Sequence, residues 1–261
     1  MPPRRTAAPP TRRSARLLAL ALALPALLVA CTADQPTTAP PTSAPPAPAD
    51  ADAARDELAA LAAAAQDRRL VASYVLRAGD GPDRAVLVTT AGDGSWRVDV
   101  PGGALGGSVD VSLAATADGL FQCALPSAGH PAPPGCIRVG DADDVLPRRA
   151  DPRVQHPFTD WLDVLTDRRS PLSVSPAQPP TGATGSCYSV ETTSASINAP
   201  LDAGIYCFDA DGTLTAVRTE DGTLTLAAPP APGPASVQLA GPVVDGELLG
   251  TAAPEPTAGT L

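Results

Sequence analysis

Few side chains in this chain are equipped for chemistry. It has five cysteines, two histidines and no lysine, so all 18 basic residues are arginine. A nucleophile, base and acid set needs a histidine placed beside a serine or thiol. His130 falls in the Gly/Pro loop AGHPAPPG, and His156 stands just before a helical pattern. Neither is accompanied by a Gly-x-Ser-x-Gly elbow. His156 therefore reads as a residue at a helix start or on the surface. Asp160 and Asp163 lie three apart and mimic a hydrolytic carboxylate pair, but a solvated helix face accounts for them. Asp209-Ala210-Asp211-Gly212 opens like a calcium loop and then lacks the third acid and the closing Glu, so it reads as a turn. Asp141, Asp143 and Asp144 form a short acidic loop. No phosphate-binding glycine loop and no zinc spacing occur. The expectation is a non-enzyme with no catalytic residue, no metal and no cofactor.

Cys31 offers a different chemistry. Residues 1–16 are basic, and Leu17 to Ala30 form a 14-residue apolar run. That run is short for a spanning helix, which needs about 20 residues, and it fits a signal-peptide core. It ends Leu28-Val29-Ala30-Cys31, which resembles the lipobox of bacterial lipoproteins. The resemblance implies cleavage before Cys31, a diacylglyceryl thioether on its sulfur and attachment to the outer face of the cell membrane. The alternative is an ordinary secretory signal followed by a stray cysteine. Arg12-Arg13 hints at twin-arginine export, without the rest of that motif. Five arginines lie in the signal segment and no acid does, so processing takes the formal charge from −10 to −15. A body this acidic is unsuited to nucleic acid and is repelled by anionic headgroups, which leaves the lipid as the anchor.

Four regions follow. Residues 1–30 are expected to be the signal peptide. Residues 31–51 are the lipidated cysteine and a Pro/Ala/Thr linker, too poor in apolar side chains to offset its ordering entropy. Residues 52–240 form one α+β domain, and 241–261 a flexible tail.

The four body cysteines allow three pairings. An even number outside the cytoplasm argues for disulfides, and Cys123–Cys136 with Cys187–Cys207 is preferred because each pair flanks one hairpin or loop. A helix is expected over Asp52–Arg69, where Ala54, Leu58, Leu61, Ala62 and Ala65 share a face. A second begins at Pro157, with Phe158, Trp161, Leu162 and Leu165 as its apolar stripe. Strands are expected at 73–77, 85–90, 95–100, 108–116, 120–125, 136–139, 186–191, 205–208, 214–218, 224–227 and 237–239. Asp-Gly pairs at 80–81, 93–94, 118–119, 211–212 and 221–222 punctuate them, and this dipeptide favours tight hairpins. The order helix, about six strands, helix, about five strands predicts one antiparallel sheet whose apolar face is capped by two or three helices.

With the lipobox, the 52–69 helix, the strand Ser73-Tyr74-Val75-Leu76 and the late run Phe208-Asp-Ala-Asp-Gly-Thr-Leu214 on the page, the chain resembles lipoprotein carriers of the LolA type and the related lipid-binding lipoproteins of mycobacteria. The likeness spans roughly residues 52–240; the four body cysteines depart from that group. It implies a curved antiparallel half-barrel closed by helices over an apolar cavity that holds acyl chains or another amphiphile. Tyr74, Trp96, Val98, Phe121, Phe158, Trp161 and Leu165 are the candidate lining residues, with a filled core as the alternative role for most of the aromatics. A membrane-anchored carrier is the expected function. The competing expectation is a structural or interaction module of the envelope, with no small-molecule ligand and a protein partner.

Overall fold

The computed structural model describes residues 48–193 and 199–253. Cys31, the signal segment, the linker through residue 47 and the end of the tail from residue 254 lie outside the described residues. The architecture is α+β: a curved, open antiparallel sheet of twelve strands and two α-helices.

Helix α1 spans Pro48–Gln66, four residues into the expected linker. A proline is well placed to open it, because the first helical position needs no amide hydrogen. Its end comes three residues early: Arg69 turns back and donates from Nη1 to Gln66 O at 2.7 Å, satisfying one of the last carbonyls. Ala54, Leu58 and Ala62 are its buried stripe. Enclosing Leu58 completely contributes about 2 kcal/mol of apolar transfer. The second helix, α2 (Asp160–Thr166), is shorter than its apolar stripe predicts, because a 3-10 turn at His156–Phe158 precedes it.

The strands are β1 (Leu70–Arg77), β2 (Arg84–Thr90), β3 (Trp96–Ala104), β4 (Val109–Thr116), β5 (Gly119–Leu125), β6 (Gly135–Gly140), β7 (Leu172–Pro176), β8 (Ser186–Thr192), β9 (Gly204–Phe208), β10 (Leu214–Thr219), β11 (Gly222–Leu226) and β12 (Ala231–Pro232). Two meanders, β1–β6 and β7–β11, are joined edge to edge by β1 pairing with β11, so the order runs β6-β5-β4-β3-β2-β1-β11-β10-β9-β8-β7. All five Asp-Gly pairs mark turns that join consecutive antiparallel strands, with Gly119 and Gly222 already the first residues of β5 and β11. At Gly212 (φ +83°) a Cβ would lie 2.5 Å from Ala65 N, so only glycine lets this turn meet the end of α1.

Alternation sorts the two faces. Leu70, Ala72, Tyr74 and Leu76 of β1 join Val86, Val88, Val98, Val100 and Val111 on the helix-covered face. Tyr188, Tyr206 and Phe208 meet α1 and α2 there. The opposite face carries both disulfides. Cys123 and Cys136 are directly opposed on β5 and β6, with Cα atoms 3.9 Å apart. Cys187 and Cys207 are opposed on β8 and β9 at 4.1 Å.

Three local expectations are corrected. Strand β7, between Pro171 and Pro176, was not expected; it is an edge strand, where proline is tolerated. Residues 237–239 form no strand. Val237 instead donates its amide to Ser95 Oγ at 2.9 Å and packs on Ala91 and Ala114. The expected flexible tail from residue 241 is fastened as far as Thr251. Cys136 N donates to Pro242 O and Val244 N to Cys136 O, both at 2.8 Å, which covers the open edge of β6. Buried Gln122 brackets Leu249, accepting from its N at 2.7 Å and donating to its O at 3.0 Å. Leu105 N and Gly106 N donate to Gly250 O and Thr251 O. Proline and glycine there mark turns whose backbone groups find partners on the sheet.

Candidate binding site

A cavity of about 340 Å³ opens on the helix-covered face. Its floor is built by strand register. Leu76 of β1 lies opposite Leu224 of β11, and Leu224 lies opposite Val217 of β10, so three apolar side chains form one row across three strands. Val100 of β3 extends that floor. Beyond Val100 the β3–β4 register shifts, and Gly103 allows the bend: a Cβ there would lie 2.5 Å from Val111 Cγ2. The roof is the run from Asp151 to Trp161, contributing Pro152, Val154, Pro157 and Trp161.

The rim is charged. Arg153 reaches from the roof to Asp202, donating from Nε to Oδ2 at 3.1 Å and from Nη2 to Oδ1, and to Asp221 of the β10–β11 turn at 3.3 Å. It holds a left-handed backbone (φ +64°), uncommon for a side chain of this size. Its own amide donates to Asp151 Oδ1 at 2.9 Å, and its guanidinium lies 6.0 Å from the Trp161 ring centroid. Burial alone would lower the Arg153 pKa, but Asp202, Asp221 and Asp151 carry it above its ordinary value. Burial pushes the Asp202 carboxyl up, and Asp221 and Glu220 add repulsion, against which Arg153 pulls only partway down. Asp202 is thus the less willing partner of the pair. Arg84, across the mouth, is occupied by the carbonyls of Pro101 and Gly102 at 2.9 and 3.3 Å.

Behind the roof lies a group the sequence reading undervalued. His156 is buried, not on the surface. Its ring stacks on Trp161 (centroids 5.2 Å, 15°). Nδ1 lies 2.6 Å from Asp160 Oδ1 and Nε2 2.8 Å from Asp151 Oδ2. Burial alone would lower its pKa, yet the two carboxylates push it up to about 9. Asp151 and Asp160 fall below the usual carboxylate range, because the His156 cation outweighs the burial that would raise them. The imidazolium donates both N–H groups, so His156 acts as a charged strut. Asp160 is accordingly a strut partner and not simply a solvated helix carboxylate. Acids at −5 and +4 from a histidine ahead of a helix were the available signal.

The expected lining residues disperse. Trp161 lines the cavity. Tyr74 donates its hydroxyl to Leu214 O at 2.8 Å and stands 4.8 Å from Phe158; the space between them is about 30 Å³. Val98 and Leu165 are enclosed core side chains. Trp96 borders two other pockets, one walled by residues 142–146 and α2 and one at the β2–β3 turn. Phe121 belongs to the opposite face, against Cys123, Cys136 and Leu239. The floor row Leu76, Leu224 and Val217 was not singled out, since its members come together only through the β1–β11 and β10–β11 pairing. Asp209–Gly212 is a turn, with Gly212 N donating to Asp209 O at 2.9 Å.

Comparison with known protein families finds no family model that matches this chain, and comparison with curated proteins finds no match.

Proposed function

We propose that this chain is an extracytoplasmic lipoprotein, anchored through Cys31, that binds one small amphiphile without transforming it. The observation that carries this reading is the cavity itself: about 340 Å³, an aliphatic floor, a roof of Pro152, Val154, Pro157 and Trp161, and a charged rim. That volume sits at the lower end of the range for small-molecule sites, so the occupant is a single short chain with a polar head and not a multi-chain lipid. The apolar part lies along Leu76, Leu224 and Val217, and the head meets Arg153 and its carboxylates. A half-barrel of the LolA type, with its helices as the cap, is the architecture this reading adopts for the curved sheet. Both disulfides accord with an oxidising compartment.

The test uses the chain from residue 31 with Cys31→Ser, purified and examined by native mass spectrometry and by titration with a fluorescent medium-chain fatty acid. The expected result is a co-purified small molecule or saturable uptake of the probe. Val217→Phe should abolish uptake, because it fills the floor, while leaving the melting temperature within a few degrees. Equal uptake by that variant refutes the site. A clean apo mass with no uptake favours an interaction module of the cell envelope, a reading that the nearly filled space around Tyr74 and Phe158 also supports.

A further inference from the structure

The charges at the mouth of the 340 Å³ cavity come in opposite pairs. Its charged lining residues are Arg84, Asp151, Arg153, Asp202 and Asp221. Asp151 is spent on the roof, accepting from His156 Nε2 at 2.8 Å and Gln155 Nε2 at 2.7 Å. That leaves two arginines against two carboxylates. Such a rim has no net formal charge but strong local fields of both signs.

The two carboxylates hold Arg153 unequally. Asp202 accepts from both Nε and Nη2, and its side chain is 12 % exposed. Asp221 meets Nε once, at 3.3 Å, and is 53 % exposed. Exposed ion pairs contribute little, so Asp221 is the partner that exchanges and Asp202 the one that stays. Asp221 sits in the β10–β11 turn and Asp202 ahead of β9, so the first contact can open while the second holds. The two acids also repel one another, since Asp221 helps to raise the Asp202 pKa. A cation placed at Asp221 relieves that repulsion.

We infer that the cavity takes an amphiphile with a zwitterionic head, an ammonium and a carboxylate on one carbon or on neighbouring carbons, as in an α-amino acid with an aliphatic side chain. The ammonium pairs with Asp221, and the carboxylate takes the side of the Arg153 guanidinium that Asp221 gives up. Every charge keeps a partner. A lone carboxylate would displace Asp221 and leave it unpaired beside Asp202, and a lone ammonium would draw Asp221 away from Arg153 without replacing it; uncompensated charge of either kind opposes binding. The aliphatic stem lies along Leu76, Leu224 and Val217, a row that crosses three strands and so spans about 10 Å, the reach of a short alkyl chain. This inference rests on the amphiphile reading above and specifies its head.

Of the chain's two tryptophans, Trp96 and Trp161, only Trp161 lines this cavity, so its indole N–H signal reports occupancy by NMR. The Cys31→Ser protein is titrated at pH 6.5 with 2-aminooctanoate, octanoate and octylammonium, whose carboxylates and ammonium groups are all ionised there. The expected result is saturable movement of the Trp161 signal by 2-aminooctanoate with a dissociation constant on the order of 0.1 mM. Both singly charged analogues should bind at least about tenfold more weakly. Asp221→Asn keeps an Asn-Gly turn, which favours the same hairpin. It should weaken 2-aminooctanoate about tenfold, leave octanoate at least as tight as before, and preserve the circular dichroism spectrum. Equal or tighter binding of octanoate or octylammonium by the parent overturns the inference and leaves the cavity reading standing. An unchanged preference in Asp221→Asn overturns it in the same way. No movement of Trp161 with any of the three ligands overturns the cavity reading and this inference with it.

Discussion

Raising the pH should unfasten the roof of the cavity, and the size of the effect follows from His156. In the unfolded chain its imidazole titrates near the ordinary value of 6.5; in the folded protein Asp151 and Asp160 push it up to about 9. A proton held more tightly by the folded state stabilises that state. The contribution is fully present below pH 6.5 and is lost as pH rises through 9. The gap corresponds to about 3 kcal/mol, at about 1.4 kcal/mol for each tenfold change in affinity. The His156 side chain is only 11 % exposed, so solvent screening takes little from that figure. Urea unfolding followed by circular dichroism between pH 6 and 9.5 should show the free energy falling by roughly this amount, with a drop of about 6–12 °C in melting temperature for a domain this size. The range stops at 9.5 because burial raises the phenols of Tyr74, Tyr188 and Tyr206. Their unfolded forms ionise first and would add a second alkaline loss. His156→Gln should be less stable at pH 6, since it leaves Asp151 without its cation, and should show a nearly flat profile to pH 9.5. An equal pH slope in that variant, or a flat profile in the parent, would refute the reasoning.

Three further outcomes are expected. Gln122→Leu removes the bracket around Leu249 and deprives three backbone groups, Leu249 N, Leu249 O and Ala150 O, of the hydrogen bonds Gln122 makes to them. It should cost about 1–3 kcal/mol, with hydrogen exchange rising first over residues 249–251. Replacing Cys123 and Cys136 together with alanine should lower stability by about 3 kcal/mol on the loop-entropy estimate, measured by thermal melts; an unchanged midpoint would show that β5 and β6 need no covalent link. Full-length protein expressed in its native type of cell should carry a mass gain on a peptide beginning at Cys31, and Cys31→Ser should remove it; an intact chain retaining residues 1–30 with a free Cys31 thiol contradicts the anchor.

Much of the architecture was legible because it depends on near neighbours. The alternation Trp96, Val98, Val100 against Arg97 and Asp99 specifies a half-buried strand, and five Asp-Gly pairs specify its turns. Each disulfide joins cysteines on consecutive antiparallel strands, β5 with β6 and β8 with β9, although neither connection carries an Asp-Gly pair. Errors arose where a partner distant in sequence decided the outcome. Strand β7 exists because β8 offers it an edge. Residues 242–251 are fixed because β6, Gln122 and Leu105 accept them. Val237–Leu239 has strand-like residues but covers the far face of the sheet instead of joining it.

By itself, the sequence determined most element types, the sheet's antiparallel character, the cysteine pairs within hairpin reach and the net acidity, since each follows from composition or from interactions spanning a few residues. The tertiary structure alone decided that β1 pairs with β11. That pairing sets Leu76, Leu224 and Val217 in one row and creates the cavity floor. It also decided the state of His156: a proton affinity is set by burial and by charges within a few ångströms, and only packing of the 151–161 run against the sheet brings Asp151, Asp160 and Trp161 around that ring.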